Sequence, residues 1–142
     1  MAGLVSRREV EIEWGDCDPA GIVFYPRYFA MFDRSTALLV ERAVGVKKIG
    51  WRERYGVIGI PMVDTAAKFI IPSKYGDVIE IETRATRLGR TSFDIEHIVR
   101  KGDAVAIEAR ETRVWAGVDP DDPSRIKGVP LPAELVEALR PE

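Results

Sequence analysis

The segment that most restricts the fold is IVFYPRYFAMFDRSTALLVERAVG, residues 22–45, which reads as one long helix. Pro26 suits a first helical position, where its missing N–H would have no partner anyway, and Gly45 closes the helix. Projected at ~100° per residue, Phe29, Phe32, Thr36, Ala37, Leu39, Val40, Ala43 and Val44 share a broad face, with Arg34, Glu41 and Arg42 opposite. An apolar arc this wide needs other structure around it. A chain of 142 residues buries roughly 70% of its unfolded surface, so one domain spanning residues 1–142 is expected to supply the enclosure.

The remaining pattern supplies strands. Val10, Ile12 and Trp14 alternate with Glu9, Glu11 and Glu13, which predicts a half-buried strand over residues 5–14. Further strands are expected over 62–71, 78–88, 91–101 and 104–116, with Gly89 and Gly102 placed where hairpins must turn. The second of these is the clearest: Ile79, Ile81, Thr83 and Ala85 alternate with Glu80, Glu82, Arg84 and Thr86. In the last strand the parity of Val105, Ile107 and Ala109 is reversed by Val114 and Ala116, which predicts a bulge at 110–113. Residues 119–124 form a loop, and LPAELVEALR a short amphipathic helix. The class is α+β: an antiparallel sheet that can bury its dry face by curling around the helix.

Composition excludes several partners. A formal charge of −2 and a pI near 5.6 leave no global field for nucleic acid or an anionic membrane. Cys17 is the single cysteine and His97 the single histidine, so a disulfide within the chain and a Cys- or His-rich metal site are both excluded. No apolar stretch is long enough to be a signal peptide or to span a bilayer, so a cytoplasmic location is expected.

Three constellations could carry chemistry. The first is Asp16-Cys17-Asp18-Pro19-Ala20-Gly21, between a strand and the start of the helix. Unpaired N–H groups at a helix start can bind an oxyanion, and a carboxylate beside them can act as nucleophile or general base on a carbonyl. The same aspartates serve equally as turn formers or helix caps. The second is Asp33, about 40° from Phe29 and one turn further along, inside the apolar arc; a carboxylate there needs a partner in the fold or a ligand in a cavity. The third is a scatter of cations, Arg84, Arg87, Arg90, Arg110, Arg113, Arg125 and Lys127, which suits either phosphate binding or solvated strand faces. A Cys17–His97 dyad is disfavoured, because His97 shares parity with Phe93, Ile95 and Val99 and so reads as a core histidine. No phosphate-loop, nucleophile-elbow or zinc spacing is present.

The stretch EWGDCDPAGIVFYPRYFAMFD, followed in order by GIPMV, YGDVIEIET and RTSFDIEH, resembles the 4-hydroxybenzoyl-coenzyme A thioesterases of the hot-dog-fold superfamily. The resemblance implies a hot-dog fold, an antiparallel β-sheet wrapped around a long central α-helix, in dimers that pair into tetramers with sites at subunit interfaces. It implies hydrolysis of an acyl-coenzyme A thioester, with Asp18 catalytic, Asp16 structural and the Tyr25 backbone N–H facing the thioester oxygen. It places the acyl group near Asp33, with Ile60 and Met62 in its pocket, and the nucleotide near Arg90, Thr91 and Ser92. Asp33 favours an aromatic hydroxybenzoyl-type acyl group, whereas Ile60 stands where the family carries a small polar residue, so the pocket lining differs there. No cofactor or metal is implied, coenzyme A being part of the substrate. The competing readings are a short-chain aliphatic acyl-coenzyme A or acyl-carrier-protein thioesterase, and a non-catalytic acyl-binding protein on the same fold.

Overall fold

The computed structural model describes residues 3–141. In chain order the elements are β1 (Val5–Glu11), α1 (Tyr25–Val44), α2 (Trp51–Tyr55), β2 (Val57–Gly59), β3 (Met62–Phe69), β4 (Val78–Leu88), β5 (Ser92–Lys101), β6 (Ala104–Val114), β7 (Ala116–Val118), β8 (Ile126–Gly128) and α3 (Ala133–Leu139). Five strands form an antiparallel sheet in the order β1-β4-β5-β6-β3, and β2, β7 and β8 form a small second sheet. The long helix α1 packs along the large sheet and buries Tyr28, Met31, Phe32, Ser35, Thr36, Ala37, Leu39 and Val40. This is the expected α+β hot-dog arrangement.

The helix begins one residue before Pro26, with Phe24 as its cap, and ends at Gly45, whose φ of 72° is the left-handed conformation glycine adopts without strain. From β1, Arg8 anchors it: Nε donates to Ser35 Oγ at 2.8 Å and Nη2 to the Met31 carbonyl at 2.8 Å. Two apolar clusters divide its length. The N-terminal half joins Tyr28 and Phe32 to Ile79, Ile81, Val99 and Ile107. The C-terminal half joins Leu39 and Val40 to Trp51, Phe93, Ile95, Trp115, Leu135 and Leu139, so α2 and α3 close the end that the sheet leaves open.

Three expectations are corrected. The first strand stops at Glu11, and Trp14 is not on its dry face: the chain turns into a 3-10 turn over Trp14–Asp16, leaving the indole 77% exposed against Tyr75. The bulge in β6 itself is at Ala106, between the pairs Val99–Ile107 and Arg100–Val105, and the irregularity within 110–113 belongs to the facing strand β3, where Val63 is the extra residue opposite Thr112 and Arg113. Ile107, Ala109, Glu111, Arg113 and Trp115 then keep one inward parity, because Glu111 and Arg113 are buried charges rather than outward-facing ones. The strand expected to run to 116 ends at Val114, and Trp115 separates it from β7. Residues 46–60, without a strong periodic signal, fold into α2 and β2.

Leu39 has no exposed surface and lies in the cluster remote from the N-terminus of α1. Leu39→Ala is expected to lower unfolding stability by about 2–5 kcal/mol, measured by denaturant titration, with the m-value unchanged; a loss below about 1 kcal/mol would mean that this end of the core is not closely packed.

Candidate active site

The loop ahead of α1 is a miniature hairpin. Cys17 and Val23 form an antiparallel bridge, Phe24 N–H donates to the Asp16 carbonyl at 2.8 Å, and Asp18 N–H donates to the Ile22 carbonyl at 3.0 Å. Gly21, with φ 82°, makes the turn, and its N–H donates to the Asp18 carbonyl. Alternation along this hairpin places Asp16 and Asp18 on one side and Cys17 on the other, where it packs against the first core cluster.

The two aspartates have different partners. Asp16 Oδ2 accepts the Glu13 N–H at 2.9 Å and stabilises the 3-10 turn. Asp18 Oδ1 accepts the Ala20 N–H at 2.8 Å, an Asx turn, whereas its Oδ2 has no partner among the described residues. Asp18 is therefore a turn former with one oxygen left over. Three residues of extended chain, roughly 10 Å, separate its cross-strand neighbour Ile22 from Tyr25. The Tyr25 N–H, at the first helical position, finds no acceptor among the described residues.

Asp33 lies two helical turns beyond Tyr25, about 12 Å along the axis. It is not enclosed in the core as its place in the apolar arc suggested: its side chain is 53% exposed, and Oδ1 pairs with Arg113 Nη1 at 2.8 Å. It faces a depression of about 550 Å³ whose lining includes the apolar Phe29, Ile60 and Met62 and two cations, Arg113 and Lys48. The structure thus brings Asp33, Ile60 and Met62 together, and Asp18 and Tyr25 lie outside that lining.

Arg113, read from sequence as one of the surface cations, is buried. Its Nε and Nη2 donate to the two oxygens of Glu111 at 3.0 and 3.3 Å, and Nη1 to the Ile60 carbonyl at 3.0 Å. Glu111 also accepts from the Thr36 hydroxyl, which lies 3.2 Å from His97 Nε2, and Thr83 Oγ1 lies 2.8 Å from His97 Nδ1. One assignment satisfies this chain: Thr83 donates to Nδ1, Nε2–H donates to Thr36, and Thr36 donates to the carboxylate. Phe32 stacks on the imidazole at 4.7 Å. Burial pushes the Glu111 pKa up, but bonds from His97, Arg113 and Thr36 together outweigh burial and hold it below its ordinary value. The parity of β6 could have pointed to Glu111 and Arg113 as inward residues, but their charge obscured it, and Glu111 was missed.

The other cations divide. Arg84 pairs with Glu96, Arg87 with Asp94 and Arg110 with Asp64, all on exposed strand faces. Arg90, Arg125 and Lys127 make no ion pair among the described residues. The turn Arg90-Thr91-Ser92 abuts the C-terminal segment: the Leu131 N–H donates to the Arg90 carbonyl at 2.9 Å, and Thr91 packs against Gly128, beside Lys127 on β8. Cys17 Sγ lies 3.7 Å from the Glu13 carbonyl, and His97 is committed to threonines, so the two form no dyad.

Known proteins share this framework. Residues 12–139 match the thioesterase-like superfamily. The chain belongs to it. The 4-hydroxybenzoyl-CoA thioesterase of Pseudomonas sp. strain CBS-3 is 34% identical, over 96% of this chain and 98% of the relative. A structure of a 4-hydroxybenzoyl CoA thioesterase mutant, aspartate to asparagine, complexed with 4-hydroxybenzoyl CoA, superposes with a TM-score of 0.85 at 30% identity, covering 95% of this chain and 98% of that one. A gentisyl-coenzyme A thioesterase has a TM-score of 0.80 at 27% identity, over 92% of this chain and 98% of that chain. The match therefore extends over nearly the whole chain, and residues 12–139 include the hairpin and α1.

A carboxyl whose pKa falls on folding stabilises the native state above the ordinary carboxylate range and loses that contribution as pH falls through its lowered value. Glu111 is such a group. Between about pH 5 and pH 3, unfolding stability of the wild type is expected to fall more steeply than that of Glu111→Gln. Parallel acid limbs in chemical denaturation would show that Glu111 is not a linked group.

Proposed function

We propose that the chain hydrolyses an aromatic, hydroxybenzoyl-type acyl-coenzyme A to the free acid and coenzyme A, with Asp18 as the group that acts on the thioester carbonyl. The observation that carries this reading is the pairing of an aspartate with one unengaged oxygen and a helix-start N–H without an acceptor, on either side of a short extended segment. Asp18 attacks the carbonyl or activates water, and the Tyr25 N–H receives the developing oxyanion, helped by the α1 dipole. Coenzyme A leaves as a thiolate, a good leaving group, so the step requires neither a metal nor a cofactor. The pKa of Glu111 plays no part in it.

The acyl group is assigned to the depression at Asp33. Phe29, Ile60 and Met62 provide apolar walls, and Asp33 a polar end, which suits a ring carrying a hydroxyl better than an aliphatic chain. The thioesters for which the relatives are named, 4-hydroxybenzoyl and gentisyl, have that character. Arg90, Thr91 and Ser92 are assigned to the nucleotide, with Lys127 brought beside them by the Thr91–Gly128 contact.

The working unit is proposed to be a homo-oligomer, a dimer of dimers. Among the described residues β3 is an edge strand, and Met62, Val63 and Phe69 along it are exposed, a surface that a second copy would pair and cover. Such pairing would also complete a site in which one protomer leaves Asp18 apart from the Asp33 depression. A cytoplasmic location is in keeping with the single thiol, and among the described residues no helix is long and apolar enough to cross a membrane.

Thiol release from a panel of aryl and aliphatic coenzyme A and carrier-protein thioesters tests the reading. Wild type is expected to favour hydroxybenzoyl-coenzyme A, and Asp18→Asn to lose roughly 10²–10⁴-fold in kcat. Retention of full activity by Asp18→Asn would remove Asp18 from the chemistry, preference for aliphatic acyl groups would remove the aromatic assignment, and binding without turnover would favour an acyl-binding protein. A single turnover in heavy-oxygen water tests attack by the side chain: label in the Asp18 carboxyl supports it, and label confined to the released acid counts against it.

A further inference from the structure

Arg113 is held on three sides before it meets Asp33. Glu111 takes two of its N–H groups, and the Ile60 carbonyl takes a third, from a guanidinium that is 4% exposed. With the guanidinium fixed in this way, Nη1 also forms an ion pair with Asp33 Oδ1 at 2.8 Å. Glu111 is itself immobilised by Thr36 and, through it, by His97 and Thr83 on β5 and β4. The position of the Asp33 carboxylate is thus inherited from the core rather than set by helix α1 alone. Oδ1 is taken by Arg113, and Oδ2 has no polar partner among the described residues while its side chain is half exposed to the depression.

We infer that Glu111 and Arg113 are positioning residues for acyl-group discrimination: by engaging one oxygen of Asp33 they leave the other as a directed acceptor for a hydroxyl on the acyl group. This rests on the assignment of the acyl group to the Asp33 depression. Charge balance gives the mechanism its direction. One cation is shared by two carboxylates, Glu111 inside and Asp33 at the rim. In Glu111→Gln one carboxylate oxygen becomes an NH₂ donor, so one guanidinium N–H loses its acceptor and the cation, no longer balanced from inside, is drawn towards both oxygens of Asp33, which removes the acceptor the substrate would use. Replacing Arg113 by lysine substitutes a point charge for the fork and releases the orientation.

The test compares kcat/KM for 4-hydroxybenzoyl-coenzyme A and benzoyl-coenzyme A, which differ only in the hydroxyl. A site built to bond a hydroxyl discriminates strongly against the analogue lacking it. Wild type is expected to prefer the hydroxylated substrate. In Glu111→Gln the ratio is expected to fall about tenfold, with benzoyl-coenzyme A turnover within about threefold of wild type, and Arg113→Lys is expected to lower the same ratio. In an Asp33→Asn background Glu111→Gln should change the ratio no further, because the effect passes through Asp33. Thr36→Val, which removes one bond to Glu111 and keeps side-chain shape, gives a smaller shift in the same direction and serves where Glu111→Gln fails to fold.

A parallel fall for both substrates, or an unchanged ratio in every variant, overturns the inference and leaves the pair a purely structural one. Equal wild-type activity on both substrates also overturns it, while leaving the thioesterase reading intact. Absence of activity on either substrate overturns both.

Discussion

The carboxylate of Glu111 is 2% exposed in the middle of the core, and the arrangement around it organises the helix–sheet contact. An isolated carboxylate at such a position would be strongly disfavoured. Here it is met by a guanidinium, a threonine hydroxyl and the edge of an imidazole. Each partner comes from a different element: Arg113 from β6, Thr36 from α1, His97 from β5, with Thr83 of β4 behind it. Satisfying all of these bonds requires the four elements to stand in one register, since shifting a strand by one residue would turn its inward set outward. Removing a single partner leaves a buried polar group exposed to an apolar interior, which makes the layer a constraint on register more than a source of net stability.

The layer also divides the core. Along β4, Thr83 lies between Ile81 and Ala85; along β5, His97 lies between Val99 and Ile95; along α1, Thr36 lies between Phe32 and Leu39. On one side is the cluster beneath the hairpin that carries Asp18, and on the other the aromatic cluster closed by α2 and α3. The polar layer reaches the surface at one place, where Arg113 meets Asp33. The exposed Asp33 carboxylate and the buried Glu111 carboxylate are therefore tied together by one chain of contacts. This gives a physical reason for the charged residues in β6 to survive in a position where apolar side chains would pack more simply.

Much of the fold was legible because it rests on local pattern. The period of α1, its Gly45 stop and the alternation of β4 are properties of contiguous residues, and the sheet and helix followed from them. The loop between the first strand and the helix was likewise legible as a tight turn, from its Gly, Asp and Pro. Misreadings fell where tertiary partners override local preference. Trp14 continued an alternation that the backbone abandons at Glu11, and the charges of Glu111 and Arg113 suggested an outward face when each supplies the other's counter-charge inside. The bulge at Ala106 has no local signature, because the extra residue is small, apolar and buried like its neighbour.

The sequence by itself determined the long helix, the principal strands and the place of Asp33 on the apolar arc of the helix, because spacing along a helix or strand converts directly into a face. Only the tertiary structure decided what those groups meet. Asp33 acquires its partner from a residue 80 positions later in the chain, and Arg113 acquires its burial from Glu111 two residues before it on a strand whose inward face is set by β3, β5 and α1 together. Contacts of that separation depend on register between strands and on the height of the helix over the sheet, and no local pattern encodes either. The same holds for Asp18: its residue type and setting were written in the motif, but that one oxygen closes the turn while the other stays unengaged is a fact of the folded hairpin.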